Sequence, residues 1–344
     1  MRRGPGRRRA PGFVAVERFP PRGLPLLLYA LLLVLAPAFG ADGSPDKCHS
    51  IPDREARLNC FDSLPQEKRE PGHYLSGLWK LGTPRIGIDQ VQPHRPVYIL
   101  LDRWTNNVNE SPSSPAPGHS VTAPLDLSAN ELKFQLSFKS ELVSSHDFGT
   151  FFGLNSARLW FAYTQQSHWQ LYTPSASRPF RETDYEPEAI LTLATANEGV
   201  GWKLLNIGYV HQSNGRSQPE SRSWNRIYAQ GGWEWRRVAV LARAWARIPE
   251  NSGRDDNPDI KDYVGRGDAL VRWDMGGDYA ASLLIRHTLR MNPSRGFLEL
   301  DLTTSPLLGA ARGYVQLTSG YGESLIDYNF RQTTLGFGVV FRAW

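Results

Sequence analysis

Residues 132–139 read LKFQLSFK, so apolar side chains occupy the even positions and polar side chains the odd ones. Successive side chains of a β-strand point to opposite faces, and this alternation therefore predicts a strand with one apolar and one polar face. The last strand-like stretch repeats the pattern, because Leu335, Phe337, Val339 and Phe341 share one face. Such alternation indicates a sheet that separates apolar surroundings from polar ones.

Twelve candidate strands can be placed on this basis. They cover residues 96–104, 131–142, 157–167, 184–196, 201–213, 222–233, 235–248, 260–274, 278–291, 295–303, 311–319 and 330–343. Most are long enough to cross a bilayer when tilted, which takes roughly 9–11 residues, whereas strands of soluble sandwiches are usually about 5–6 residues long. The prediction is an all-β fold, namely a twelve-stranded antiparallel transmembrane β-barrel.

The connections between these strands support the same prediction. With the N-terminal segment in the periplasm, the outer connections, such as 105–130, are mostly long and rich in Pro, Ser and Asp. The inner connections include tight turns at 197–200 and 275–278, although a long one at 143–156 departs from the pattern. Short inner turns and longer outer loops are typical of membrane barrels.

Tryptophans cluster near the predicted strand ends, where aromatic girdles form at the two membrane interfaces. The candidates for such girdles are Trp104, Trp160, Trp169, Trp202, Trp233, Trp235 and Trp344.

The first forty residues differ in composition from the rest. Seven arginines and one acid lie within residues 1–22, an apolar run covers 24–35, and Ala38 and Gly40 follow. A basic region, an apolar region and a small-x-small site predict an export signal over residues 1–40. The alternative is a single N-terminal membrane anchor, for which the apolar run is short and wrongly flanked.

The basic character of the chain belongs mostly to this leader. The formal net charge of the whole chain is +5, and the seven arginines less one glutamate of the leader account for +6. Without residues 1–40 the net charge is therefore about −1. A clustered positive charge is the usual electrostatic basis of nucleic-acid binding, so we expect no nucleic-acid partner.

Cys48 and Cys60 are the two cysteines of the chain. An even count in an exported protein favours one local disulfide, which would pin a short helix between them. Metal binding is the alternative, but no second Cys/His pair is spaced to complete a zinc site. We therefore expect an N-terminal periplasmic segment with a disulfide over residues 41–90, followed by a barrel domain over 91–344.

A histidine and a serine end the fifth candidate strand, in the stretch GYVHQSNGR at 208–216. His211 and Ser213 are two positions apart, so on a strand they project from the same face as the apolar Ile207. That face would contact lipid, which places the pair on the outside of the barrel at the level of the outer leaflet.

A nucleophile and its base must lie within hydrogen-bonding reach, and the base needs a third group that orients it. The next candidate strand offers Asn225, in the stretch SRSWNR at 221–226, on a face that it shares with Ile227. A hairpin between the two strands would bring Asn225 beside His211.

This hairpin resembles the active-site hairpin of the outer-membrane phospholipase A family, through HQSNGRS at 211–217 and SRSWNR at 221–226. Further segments match in order and with similar spacing: YTQQS at 163–167, PFRETDYEP at 179–187, DDNPDI at 255–260 and SGYGESLIDYNF at 319–330. The likeness covers roughly residues 90–344. It implies a twelve-stranded barrel, in agreement with the strand count, and hydrolysis of glycerophospholipid acyl esters with A1, A2 and lysophospholipase activity.

The resemblance also implies roles for individual residues. Ser213 would be the nucleophile, His211 the general base, and Asn225 the residue that orients His211. The backbone N–H of Gly215 would help to stabilise the oxyanion.

Calcium is implied as the cofactor, bound at the interface of a homodimer whose assembly activates the enzyme. Its ligands would be the carbonyl of Arg216 and the hydroxyl of Ser221 from one chain, with the carbonyl of Ser177 from the other. Such oxygen ligands suit a hard cation. Gln165 would make a buried polar contact across the dimer. The acidic run at 255–259 is expected to be a solvated turn rather than a calcium site.

Two other kinds of protein remain as alternatives. One is a non-enzymatic outer-membrane porin or structural barrel, in which the hairpin is vestigial. The other is a soluble exported β-sandwich hydrolase, which would need no detergent. The favoured reading is a calcium-dependent phospholipase of the bacterial outer membrane that acts on phospholipid of the outer leaflet.

Overall fold

The structure is a computed structural model that describes residues 48, 51–63, 74–83, 87–88, 90–151, 154–173, 179–195 and 201–342. The chain divides into two compact units, Met1–Lys68 and Arg69–Trp344. The predicted export signal at 1–40, Ser177, the predicted turn at 197–200 and Trp344 lie outside the described residues. None of the helices in the described ranges is long and apolar enough to span a membrane.

The described part of the first unit is a short helix held by a disulfide. Helix α1 comprises Arg54–Ser63, and a disulfide joins Cys48 to Cys60. Asp53 Oδ1 accepts a hydrogen bond of 2.8 Å from the backbone N–H of Ala56, which satisfies a free donor of the first helical turn. The predicted local disulfide and the helix that it pins are confirmed.

The second unit begins with a short helix, α2 (Tyr74–Trp79), and a two-residue strand, β1 (Gln92–Pro93). Twelve longer strands follow: β2 Val97–Thr105, β3 Asn130–Phe151, β4 Leu154–Trp169, β5 Phe180–Thr195, β6 Trp202–Ser213, β7 Ser223–Trp235, β8 Val238–Ile248, β9 Gly267–Gly276, β10 Tyr279–His287, β11 Gly296–Leu308, β12 Ala311–Tyr321 and β13 Arg331–Arg342.

These twelve strands close into a barrel. Each pairs antiparallel with its neighbours in chain order from β2 to β13, and β13 pairs back onto β2, with Thr334 opposite Thr105. Closure leaves the backbone groups of every long strand a partner on both sides, which a strand in lipid requires. The predicted twelve-stranded antiparallel barrel is confirmed.

Two predicted boundaries are wrong. The inner connection at 143–156 is not long, because β3 and β4 stay paired almost to their ends and Phe151 lies opposite Leu154. The strand predicted to begin at 260 begins at Gly267 instead. The residues predicted to start this strand form a 3-10 helix instead, Ile260–Asp262, in which Ile260 is fully buried against the core.

The alternation of residues 132–139 places the polar side chains inside the barrel. Lys133, Gln135 and Lys139 on β3 are buried, whereas Leu136 on the opposite face is 48 % exposed. This arrangement is the reverse of a soluble protein, and it suits a wall whose outer face contacts lipid.

Ion pairs link the charged side chains that point into the lumen. Arg103 pairs with Glu131 at 2.8 Å and with Glu323 at 2.5 Å, and Lys133 also pairs with Glu323 at 3.0 Å. Glu323 lies in the outer connection between β12 and β13, and the positive charges of Arg103 and Lys133 outweigh burial and lower the pKa of its carboxyl. Buried charges need such partners, and here they connect the neighbouring strands β2 and β3 to the connection between β12 and β13.

Helix α2 packs inside the inner end of the lumen. Glu234, at the end of β7, accepts hydrogen bonds from the backbone N–H groups of Tyr74 and Leu75. The Trp79 ring packs edge-on against Trp160, with 6.4 Å between ring centroids. The prediction of Trp160 as a girdle residue is therefore wrong, since on β4 its side chain belongs to the buried, inward-facing set.

Replacing Trp79 by alanine is expected to release α2 from the barrel. Removal of a buried tryptophan side chain typically costs about 3–5 kcal/mol, and here it also removes the aromatic face 3.5 Å below the Lys139 ammonium. Limited proteolysis in detergent micelles should then cleave around residues 74–83 faster than in the unaltered protein. Trp235→Ala is the matched control, because that tryptophan is 49 % exposed, and equal protection in the two variants would contradict the packing role.

Candidate active site

The predicted hairpin is present, and its register brings the candidate residues together. β6 and β7 pair antiparallel, with His211 directly opposite Asn225 and Ser213 directly opposite Ser223. His211 Nδ1–H donates a hydrogen bond of 2.9 Å to Asn225 Oδ1. Because this bond places the proton on Nδ1, it leaves Nε2 of the neutral ring free to accept one.

Asn225 has two further partners. The hydroxyl of Tyr209 donates to Asn225 Oδ1 at 2.8 Å, and Asn225 Nδ2 donates to Glu250 Oε1 at 3.2 Å. The amide is therefore held on both of its sides, and a fixed amide keeps the imidazole in one orientation.

The hairpin presents this group on the outer wall of the barrel. Ile207, Tyr209 and Ile227 on the same face are 43 %, 45 % and 53 % exposed, whereas Val210 and Trp224 on the other face are buried. His211, Ser213 and Asn225 are themselves partly buried. The strand period places Ser213 on the same side as His211, near the outer end of the strand.

Asn214 organises the connection from β6 to β7. It is 3 % exposed, and its Nδ2 donates to Glu182 Oε1 at 3.1 Å and to the carbonyl of Glu220 at 2.8 Å. Its Oδ1 accepts from the backbone N–H groups of Arg222 at 2.9 Å and Arg216 at 3.3 Å. One side chain thus joins both ends of the loop that follows Ser213.

Gly215 adopts a backbone conformation that favours glycine, with φ of +65°. A Cβ atom at this position would also lie 3.1 Å from the ring of Tyr185, which faces Ser213 from β5. Both constraints explain why glycine stands two residues after the candidate nucleophile.

The two candidate calcium ligands on this loop lie in an oxygen-rich setting. Ser221 Oγ donates to Asp256 Oδ2 at 2.7 Å, and Asp256 Oδ1 lies 3.0 Å from His119 Nε2. The Arg216 guanidinium donates to Glu220 at 2.7 Å and to the carbonyl of Phe180 at 2.7 Å. Hydroxyl, carboxylate and carbonyl oxygens suit a hard cation, although within the described residues no group of three or more His, Cys, Asp or Glu side chains is placed to hold a metal.

Arg222 connects the end of the loop between β6 and β7 to the first outer loop. Its guanidinium donates to the carbonyl oxygens of Ser221 at 2.7 Å and His119 at 3.1 Å. Burial lowers the pKa of this guanidinium, because the charged form loses hydration.

The acidic run at 255–259 is not the solvated turn that was expected. Asn257 is fully buried and accepts a hydrogen bond of 3.0 Å from the backbone N–H of Ser223. Asp255 pairs with Arg247 at 2.5 Å. The run packs against the hairpin because its side chains satisfy the polar groups at the start of β7.

Gln165 projects from β4 on the same face as the exposed Phe161. Its Oε1 accepts from the Tyr163 hydroxyl at 3.0 Å, and its Nε2 donates to Ser167 Oγ at 3.2 Å. Both polar ends of the Gln165 amide thus have hydrogen-bond partners on β4 itself.

The closed barrel and the hydrogen-bonded hairpin agree with the comparison with known families, in which the model of phospholipase A1 matches residues 84–341. The chain belongs to the phospholipase A1 family. Phospholipase A1 is an ester hydrolase, so the expectation of an enzyme is confirmed at the level of the family, as is the outer membrane as its location.

Phospholipase A1 proteins of several bacteria are similar to this chain. It is 41 % identical over 262 residues to a putative phospholipase A1 of Neisseria meningitidis serogroup B, covering 74 % of this chain and 66 % of that protein, which is just under two thirds. It is 38 % identical over 255 residues to the phospholipase A1 of Klebsiella pneumoniae, covering 72 % of this chain and 81 % of that one. The phospholipase A1 of Escherichia coli K12 is 42 % identical over 218 residues, covering 61 % of this chain and 69 % of that one.

Solved structures of phospholipase A1 relatives show the same barrel. The outer membrane phospholipase A of Escherichia coli matches with a TM-score of 0.63 at 34 % identity, covering 76 % of this chain and 95 % of that one. The Salmonella typhi outer membrane phospholipase, solved as a dimer with bound calcium, matches with a TM-score of 0.64 at 34 % identity and the same coverage. A soluble β-sandwich is therefore excluded for this member of the phospholipase A1 family.

Four residues that contribute to the site were given no role in it from the sequence. Tyr209 shares the period of His211 along β6, so alternation could have found it. Asn214, Glu250 and Asp256 could not be found in this way, because they lie in loops, where the strand period does not apply.

Proposed function

We propose that this chain hydrolyses acyl esters of glycerophospholipids in the outer leaflet of the outer membrane, with Ser213 as the nucleophile. The observation that carries this proposal is the hydrogen bond of 2.9 Å between His211 and Asn225, two residues from Ser213 on a lipid-facing wall. A wall that contacts lipid needs no polar dyad for its stability, whereas an ester in the bilayer interface can reach a nucleophile there.

In the first half of the proposed reaction, Ser213 Oγ attacks the ester carbonyl carbon while His211 Nε2 takes the hydroxyl proton. The carbonyl oxygen becomes an oxyanion, to which the backbone N–H of Gly215 donates a hydrogen bond. Collapse of this adduct breaks the bond to the glycerol oxygen, which leaves as the alcohol of a lysophospholipid after accepting the proton from His211. The acyl group stays on Ser213.

In the second half, a water molecule attacks the acyl-Ser213 ester while His211 Nε2 takes its proton. The proton then returns to Ser213 Oγ, and the fatty acid leaves. Asn225 orients the ring in both halves, since its Oδ1 keeps Nδ1 protonated. A neutral amide stabilises the imidazolium less than a carboxylate would.

Calcium is the proposed cofactor, supported by the oxygen donors at the loop after Ser213. The carbonyl of Arg216 and the hydroxyl of Ser221 would hold it, together with the carbonyl of Ser177 from a second chain. When bound, calcium would supply a positive charge that polarises the ester carbonyl and stabilises the oxyanion. Ser221 Oγ would then exchange its present acceptor, Asp256, for the cation.

Dimerisation is the proposed switch. A related outer membrane phospholipase was solved as a dimer with bound calcium, and here the two half-sites would be completed across the interface. Gln165, on the outer wall, would exchange partners across that interface. Activity would then depend on the concentration of the protein in the membrane, which sets the fraction of chains that are dimeric.

The contents of the barrel argue against the porin alternative. The lumen holds a cavity of about 170 Å³ whose lining includes Arg95, Glu186, Arg243 and Asp268. Arg95, in the segment before β2, pairs with Glu186 and Glu188 on β5, and α2 packs into the inner end of the lumen. We expect planar bilayers containing the protein to show no large stable channels.

The test is fatty-acid release from phospholipid in detergent micelles, with calcium or with excess chelator. We expect release with calcium, and a loss of about 100-fold or more in chelator, restored when calcium is added back. Phospholipids labelled at one acyl position, and lysophospholipids, separate A1, A2 and lysophospholipase activity. Fatty-acid release that the chelator does not reduce would reject the proposed calcium site. No release under any condition would reject the proposed function.

A further inference from the structure

Glu250 is the acid nearest to the candidate His–Asn pair in the hydrogen-bonding network. It lies two residues after Ile248, the last residue of β8, which is directly opposite Asn225 in the register. Residues two positions apart on a strand share a face, so the Glu250 side chain lies on the face that carries Asn225. Glu250 is partly buried, and its Oε1 accepts a hydrogen bond of 3.2 Å from Asn225 Nδ2.

The chemistry of a carboxylate determines which way the Asn225 amide points. A side-chain amide has one acceptor and one donor end of almost the same shape, so it can face His211 with either. An ionised carboxylate only accepts hydrogen bonds, and it therefore attracts the Nδ2 end. The Oδ1 end is then directed at His211, where it accepts from Nδ1–H.

Tyr209 cannot select this orientation alone. Its hydroxyl donates to Asn225 Oδ1 at 2.8 Å, but a hydroxyl can equally accept from an Nδ2 group at the same position. A reversed amide would present a donor to Nδ1 of His211, which would favour the tautomer that is protonated on Nε2. That tautomer cannot take the proton of Ser213.

We propose that Glu250 is a positioning residue of the reaction, which sets the orientation of the Asn225 amide and through it the tautomer of His211. This role rests on the proposed function of the hairpin. It adds a fourth residue, from the segment after β8, to the three that the sequence resemblance implies. Glu250 does not touch the substrate and acts through Asn225.

The test measures kcat and KM for phospholipid hydrolysis in mixed micelles with saturating calcium. Glu250→Ala is expected to lower kcat roughly 10-fold with KM unchanged, as for loss of one charge-assisted hydrogen bond. Glu250→Gln is expected to lower kcat as well, because a glutamine amide can accept from Nδ2 but can equally donate to Oδ1, and so no longer selects one orientation of Asn225. Glu110→Ala, an exposed acid of the first outer loop, serves as the control and should leave kcat unchanged.

A double-mutant cycle separates positioning from a general structural effect. In an Asn225→Ala background, Glu250→Ala is expected to cause no further loss of kcat, because the group that it orients is gone. An equal loss in both backgrounds would overturn the proposal, as would unchanged kcat in the alanine variant or a glutamine variant as fast as the unaltered enzyme.

Ser213→Ala is measured in parallel, so that the two proposals can fail separately. If Ser213→Ala is inactive while Glu250→Ala is fully active, the positioning role is rejected and the proposed function stands. If Ser213→Ala hydrolyses phospholipid like the unaltered enzyme, the proposed function fails and the role of Glu250 fails with it.

Discussion

Replacing Ser213 by alanine is expected to abolish ester hydrolysis and to leave the barrel folded. The nucleophile and its base act as a unit, and removal of such a nucleophile lowers kcat by about 10³–10⁶-fold in other hydrolases. The side chain is small and partly buried at the outer end of β6, so its loss leaves no large cavity. Fatty-acid release in micelles with saturating calcium measures the effect.

Folding of the Ser213→Ala variant is checked by its heat-modifiable mobility in gel electrophoresis, which should match that of the unaltered protein. Ser319→Ala is the matched control, because Ser319 is also a partly buried serine near the outer end of a strand, with Thr333 as its hydroxyl partner at 2.9 Å. Full hydrolysis by the Ser213 variant would reject the acyl-serine mechanism.

Replacing Glu131 by alanine is expected to give the largest loss of stability. This carboxylate is 1 % exposed and accepts hydrogen bonds from Arg103 at 2.8 Å, His168 at 2.7 Å and Arg181 at 2.9 Å. Removing one member of a buried ion pair costs about 3–5 kcal/mol, because the remaining charges lose their partner away from water. Here Arg103 and Arg181 would each lose one of two acidic partners, because Glu323 and Asp327 remain.

Denaturant titration of the folded barrel in detergent or lipid vesicles measures the change. The matched control is Asp262→Ala, whose ion pair with Arg290 at 2.9 Å is partly exposed, and an exposed pair contributes about 0–1 kcal/mol. Equal losses for the two variants would show that water in the lumen, together with the remaining acids, compensates for the lost carboxylate.

Much of the fold could be predicted because membrane strands follow one simple rule. Alternation at 132–139 and at the last strand reports which side chains meet lipid, so strand number and closure follow from counting. The rule fails where consecutive positions of a strand are polar, as at residues 144–147 of β3, and where an apolar residue of a loop is buried, as Ile260 is. Trp160 was assigned to a girdle because it lies near a strand end, although its place in the inward-facing set of β4 packs it against Trp79 of α2.

Part of the candidate site could likewise be predicted from the sequence, and part could not. The two-residue spacing of His211 and Ser213 places them on one face, and the hairpin brings Asn225 opposite. The orientation of the amide could not be predicted, because it depends on Glu250, 25 residues further along the chain. The burial of the acidic run at 255–259 likewise depends on its contacts with the loop after β6.

Local periodicity by itself determined the barrel, the lipid-facing wall and the position of the His–Ser pair on that wall, because side-chain direction along a strand is a property of neighbouring residues. Only the tertiary structure decided how the lumen charges pair, how α2 fills the inner end, and which carboxylate holds Asn225. Those contacts join residues far apart in sequence, and they form because charged and polar groups buried between strands and loops must find partners wherever closure of the barrel places them.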